Sequence, residues 1–162
     1  MDDAMPDPIS EAALSPPDAN AEMPALEQQV LSLASIVESV FADAVVAMME
    51  NDSLAAQEAR VEDYKAHQVW LQADTLAVDL LEAGELKLDQ LNFVTAAIKI
   101  ALDLRRMADE GIRVSKEMRA CPAGGASGPS TEILPRMAEL AQSMFSDSID
   151  AFVNRDGTEA QS

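Results

Sequence analysis

Leu26, Val30, Leu33, Val37, Val40, Ala44 and Ala47 follow one another at alternating steps of four and three. On a helix this spacing keeps a single face apolar; on a strand it would scatter the same residues over both faces. Phe41, Val45 and Met48 widen the stripe. The pattern predicts a helix from about Pro24 to Glu50, about 40 Å long. Pro24 suits a first helical position, where its missing N–H is not needed. A helix of this length relies on flanking helices to cover its stripe. The rest of the chain must supply them.

The composition agrees. Hydrophobic residues make up 48% of the chain but aromatics only 4%. Alanine, leucine, valine and methionine carry the apolar content, which suits helix-on-helix packing and not a β-sandwich. The expected fold class is all-α, an antiparallel three-to-four-helix bundle.

A second helix is expected over about Leu54–Ala83. Asp52 or Ser53 can cap its start, and Gly84 fits a left-handed end. Its first half is polar, through Glu58, Arg60, Glu62, Asp63, Lys65 and His67. Its second half carries Val69, Leu71, Leu76, Val78, Leu80 and Leu81. The polar half is expected to project beyond the core or line a wet face. A third helix follows over about Leu86–Arg119. Its stripe reads Val94, Ile98, Ala101, Leu102, Ala108 and Ile112, and Ala97, Ala101, Ala108 and Gly111 permit close helix approach. This third helix is expected to be the one around which the others pack.

Residues 1–22 read as an acidic tail broken by Pro6, Pro8, Pro16 and Pro17. Such a segment buries too little surface to offset its ordering entropy. It is a solvating tail, or one that touches a basic partner or the protein's own binding face. The domain reading is then a three-helix unit over residues 23–120, a Gly/Pro/Ser-rich linker over 121–131, a fourth helix over 132–155 and a polar tail over 156–162. Pro135 falls in the first turn of that fourth helix.

The fourth helix repeats the first. Ser39, Phe41, Asp43, Ala47 and Asp52 meet identical residues at Ser143, Phe145, Asp147, Ala151 and Asp156. Val30, Leu33, Val37 and Val40 fall on Leu134, Met137, Ala141 and Met144. The match of Phe, Asp and turn positions favours a true repeat over a chance likeness of two alanine-rich helices. The second unit is represented by its first helix alone, which must fold back on the others or pair with another chain. A homodimer is the expected assembly.

A net charge of -18 leaves no basic surface to displace counterions from phosphates, so nucleic acid is not an expected partner. It also opposes docking on anionic lipid. Cys121 is the one cysteine, so no intrachain disulfide can form, and a reducing cytoplasm is the expected compartment. No apolar run is expected to span a bilayer, and no direct membrane insertion is foreseen.

Catalytic machinery is hard to find. His67 is read as solvent-facing, Cys121 as incidental beside Pro122, and Gly124, Gly125 and Gly128 follow a helix and do not open one after a strand. Met48, Met49, Met107, Met118, Met137 and Met144 read as adaptable core, although such faces also suit re-packing against partners. Trp70 and Tyr64 either anchor an interface or cap the core. No enzyme activity is expected.

Three stretches resemble the PhoU family of phosphate-uptake regulators. Leu26–Met49 with Asn51-Asp52-Ser53 is similar to its long first helix and turn. Val61-Glu62-Asp63, with Asp74 further on, resembles its second helix, and Ile100 to Asp109 its third. The family's third-helix signature, Glu-Arg-Ile-Gly-Asp, stands here as Arg105-Arg106-Met107-Ala108-Asp109. The resemblance implies a regulator acting by protein contact on a phosphate-transporter ATPase or a phosphate-sensing histidine kinase, with Arg105, Arg106, Trp70 and Tyr64 as contact candidates. It also implies metal-binding acids, for which Asp63, Asp103 and Asp109 are the candidates and a divalent or ferric ion the ligand. No cofactor is required. With Arg105 in place of the leading carboxylate, Arg105 and Asp109 are expected to neutralise each other as an ion pair. The alternatives are a carboxylate metal-binding bundle and a helical adaptor unrelated to phosphate.

Overall fold

The computed structural model describes residues 19–50, 52, 54–84, 86–118 and 130–155. They form four helices and no strand: α1 (Ala19–Glu50), α2 (Ala55–Ala83), α3 (Leu88–Met118) and α4 (Ser130–Asn154). Short turns join the first three, which run antiparallel and pack on one another along their lengths. At the first turn Asp52 Oδ1 accepts the Leu54 N–H at 2.7 Å. At the second, Gly84 takes a φ of 71° that closes α2. Gln90 Oε1 then accepts the Lys87 N–H at 2.9 Å, the return half of a capping box that starts α3.

The hub of the fold is α1, not α3: the backbone of α1 runs close to all three other helices, whereas α3 meets α4 through side chains alone. Its heptad stripe is the reason, with Val30, Leu33 and Val40 wholly excluded from solvent. Two helix starts lie upstream of their expected positions, at Ala19 and Ser130, so Pro24 and Pro135 are internal. Each falls near a helix end, where one missing backbone bond is tolerated. The tail boundary expected at residue 22 therefore lies inside α1. What was expected of residues 1–18, of most of the linker including Cys121, and of 156–162 lies outside the described residues.

The large apolar side chains of α2 are not its core. Leu71, Val78 and Leu81 are exposed, and the buried residues are Ala55, Ala56, Ala59, Ala66, Ala73, Ala77 and Leu80. Alanines spaced by sevens bring α2 close to α1 and α3, and they run into the polar half, which packs and does not merely project. On α3 the seam reads Val94, Ala97, Ala101, Leu104, Ala108, Gly111 and Ser115. Leu102, expected inside, is exposed; Leu104 takes the place, because the strict step of three and four runs through it. Ser115 is buried with its hydroxyl donating to the Ile112 carbonyl at 2.9 Å.

Among the described residues one helix, over Ala21–Ala47, is long and apolar enough to cross a membrane by length and composition, contrary to expectation. The heptad stripe and its half-buried flanks make it so, because Glu27, Glu38 and Asp43 are widely spaced. In the fold that stripe is covered by the other helices.

The fourth helix lies against α1, with Ala138 and Ala151 buried and Phe145, Ile149 and Phe152 packed on the main core. Phe152 stacks on Phe93 of α3 at 5.6 Å, and the Arg155 guanidinium covers the same Phe93 ring at 5.0 Å. Another face of α4 is largely exposed: Ile133, Met137, Leu140 and Met144 are each more than half exposed. Met137 and Met144 are thus not core, as expected, but surface.

Candidate functional site

The polar half of α2 faces the later turns of α3, where helix packing sets charged side chains against each other. Arg105 follows the buried Leu104 and so leaves α3 at the edge of its seam, pointed at α2. Its Nη1 donates to Asp63 Oδ1 at 2.5 Å, and its Nη2 lies 2.8 Å from Asp109 Oδ1, one turn on. The arginine side chain is 17% exposed, Asp63 26% and Asp109 56%. One guanidinium therefore ties α3 to α2 through Asp63 while pairing with Asp109 on its own helix, in partial shelter from water. The Arg105–Asp109 pair is the one expected; the reach to Asp63 is an addition.

Acids crowd the neighbouring surface. On α1 the Asp43 carboxyl is raised above its ordinary value, first by burial and then by the negative charge of Glu62 on α2. Glu62 itself pairs with Lys65 at 2.6 Å. The Asp43 and Glu62 carboxylates thus repel across the α1–α2 seam.

Asp103 is elsewhere. It pairs with Arg106 at 3.1 Å, with both side chains largely exposed, and it borders an open groove between α3 and α4. That groove is walled by Ile100, Leu104 and Met107 on one side and Met144, Phe145 and Ile149 on the other. The three candidate metal ligands are therefore split, Asp63 and Asp109 together and Asp103 apart. Among the described residues no three His, Cys, Asp or Glu side chains converge to hold an ion. Between Asp63 and Asp109 a guanidinium stands where a cation would have to enter. As arranged, these residues do not fit a metal ion.

The aromatic candidates divide as well. Tyr64 is 68% exposed and free for contact. Trp70 is half-buried against the core and stacks on His67 at 5.7 Å. His67 is therefore half-buried, not solvent-facing, because the Trp70 ring one turn on covers it.

A three-helix antiparallel unit sealed by alanine seams, carrying charged residues on the seams' flanks and joined by a fourth helix laid against α1, defines an all-α helical bundle. The PhoU domain matches residues 30–118. The chain is 27% identical over 138 residues to a phosphate-specific transport system accessory protein PhoU homolog of Pseudomonas putida, covering 85% of this chain and 54% of that one. It is similarly 27% identical to the homolog of Pseudomonas aeruginosa, covering 85% and 57%. The crystal structure of PhoU from Pseudomonas aeruginosa superposes with a TM-score of 0.83 at 26% identity, over 89% of this chain and 69% of that chain. This chain belongs to the PhoU family. It spans a little over half the length of the curated relatives it matches.

Proposed function

We infer that the protein is a non-catalytic regulator of phosphate transport or phosphate-responsive signalling that acts by docking a helix face on a partner. The observation that carries this reading is the PhoU fold itself, shared in both sequence and structure with accessory proteins of phosphate-specific transport. The partner is the ATPase of a phosphate transporter or a phosphate-sensing histidine kinase, met in the cytoplasm. With 29 acidic against 11 basic residues, the surface favours encounter with basic partner surfaces. Arg106 and Tyr64, both exposed, are the contact residues of the α2–α3 face; Arg105 and Trp70 hold that face in shape. His67 packed on Trp70 supports a structural role for the chain's one histidine.

The test is a binding titration of the purified full chain against the transporter ATPase and against the cytoplasmic part of the kinase. Saturable binding to either, weakened by Tyr64→Ala together with Arg106→Ala, supports the reading. Binding to neither favours a helical adaptor unrelated to phosphate. Arg105 between Asp63 and Asp109 weighs against the metal-binding bundle.

A further inference from the structure

The alanine seam of α2 has a counterpart on the helix's outer side. Ala59, Ala66 and Ala73 are buried. Two residues turn a helix by about 200°, so Val61, Gln68 and Thr75 lie opposite that seam. Tyr64, Leu71 and Val78 complete the row, which runs from Val61 to Val78 at alternating steps of three and four. All six side chains are exposed, Val61 and Tyr64 by more than half and Leu71 and Val78 by 41% each. The backbone of α4 runs close to α1 and not to α2, so the exposure of this row owes nothing to how α4 is placed.

The row is poor in charge. Charged residues make up 25% of the chain, yet between Ala66 and Val78 Asp74 is the sole Asp, Glu, Lys or Arg, and it lies on the row's flank. Exposed Tyr, Leu and Val set among Gln and Thr have the make-up of an interface centre, where charge is depleted and tyrosine enriched. Apolar side chains at three- and four-residue steps are met by a second helix laid along the first.

The charges around the row select the occupant. The first half of α2 carries Glu58, Glu62 and Asp63 against Arg60 and Lys65, and Lys65 is paired with Glu62. The second half carries Asp74, Asp79 and Glu82 with no lysine or arginine. None of these last three acids joins an ion pair among the described residues. Both halves are net negative, so a second copy of α2 would meet like charge in either direction. A helix with lysine or arginine on its flanks meets the opposite sign, most strongly over Asp79 and Glu82.

We propose that the outer row of α2 seats an amphipathic helix of a partner protein. That helix is apolar along the face turned to Tyr64, Leu71 and Val78, and basic where it crosses Asp74, Asp79 and Glu82. The proposal rests on the reading of the chain as a regulator that docks a helix face, and it names the face and the partner's chemistry; it does not need the phosphate assignment.

Amide shifts of the full chain, labelled with nitrogen-15, test it. The probe is a synthetic amphipathic peptide about five helical turns long, to match the row, with leucines at heptad positions and lysines beside them. A control peptide carries glutamate in place of each lysine. The lysine peptide is expected to shift amides from Val61 to Glu82, and the glutamate peptide to shift none. Leu71→Asp, at an exposed position, is expected to keep its helical circular dichroism and to weaken the lysine peptide by about tenfold. Asp79→Lys together with Glu82→Lys is expected to weaken it by a similar factor. Shifts spread over the acidic surface of all four helices overturn the proposal, as does an affinity indifferent to Leu71→Asp. Shifts of the same amides that grow with protein concentration alone assign the row to a second copy, and overturn it too. The transporter ATPase and the kinase are then titrated in the same way. Binding to either that is indifferent to Leu71→Asp overturns the proposal and leaves the regulator reading standing. Binding to neither, with the lysine peptide seated on the row, removes the phosphate reading and leaves the docking surface standing.

Discussion

Arg105 on α3 closes on Asp63 of α2 at 2.5 Å while its second terminal nitrogen holds Asp109 at 2.8 Å. The arginine occupies the place of the leading carboxylate in the PhoU-like signature, so a fixed cation of the chain stands among acids. Removing it should leave Asp63 without its partner on a crowded acidic surface. Arg105→Ala is expected to cost about 1–3 kcal/mol, read by urea denaturation. A change below a few tenths of a kcal/mol would reduce the bridge to a surface pair of no consequence.

The reverse substitution probes the same arrangement. Arg105→Glu would set three carboxylates, at 63, 105 and 109, on two adjoining helices. In the absence of metal the variant should melt below the wild type, because like charges gather. Manganese should raise the melting temperature of the variant and leave the wild type unmoved, since only the variant can bind the ion in its folded state. Equal stabilisation of both proteins would contradict the view that Arg105 stands in the cation's place.

Close approach of α1 and α3 hinges on Gly111. A β-carbon at this position would lie 3.1 Å from Val40 Cγ1. Gly111→Leu is therefore expected to force the helices apart and cost about 1–3 kcal/mol. At this chain length that lowers the melting temperature by about 2–4 °C per kcal/mol. An unchanged melting temperature would show that the seam can yield.

Asp43 sets a pH dependence. Its carboxyl is raised, so the folded chain keeps a proton on it at pH values where the unfolded chain has lost one. Stability from this group is greatest below the unfolded value and falls as pH rises through the folded value. Above that window the charged carboxylate faces Glu62 at full cost. Asp43→Asn, uncharged throughout, should raise the melting temperature at about pH 7, with the gain shrinking towards about pH 4. A gain that grows on acidification would reverse the sign and refute the assignment.

The sequence disclosed most where the heptad spacing was carried by large residues. The α1 stripe from Leu26 to Ala47 could be read directly, as could the ends at Asp52 and Gly84. On α2 the signal lay in alanines recurring at 59, 66 and 73, small enough to be overlooked beside Leu71 and Val78, which face solvent. On α3 the step of three from Ala101 to Leu104 competed with Leu102, and only the strict seam distinguishes them. The Arg105–Asp109 pair follows from spacing on one helix. The Arg105–Asp63 link depends on how two helices are rotated against each other, which no single-helix pattern contains. The exposure of Met137 and Met144 likewise depends on which face of α4 meets α1.

Deletion of the gene in its native host tests whether the protein restrains phosphate uptake or signalling. Cells are grown in ample phosphate while a phosphate-starvation reporter and phosphate uptake are both followed. The reporter is expected to switch on or uptake to lose restraint, with the intact chain restoring both. A deletion that leaves both unchanged, with no second family member in the host to compensate, would contradict it and leave the fold as the sole likeness.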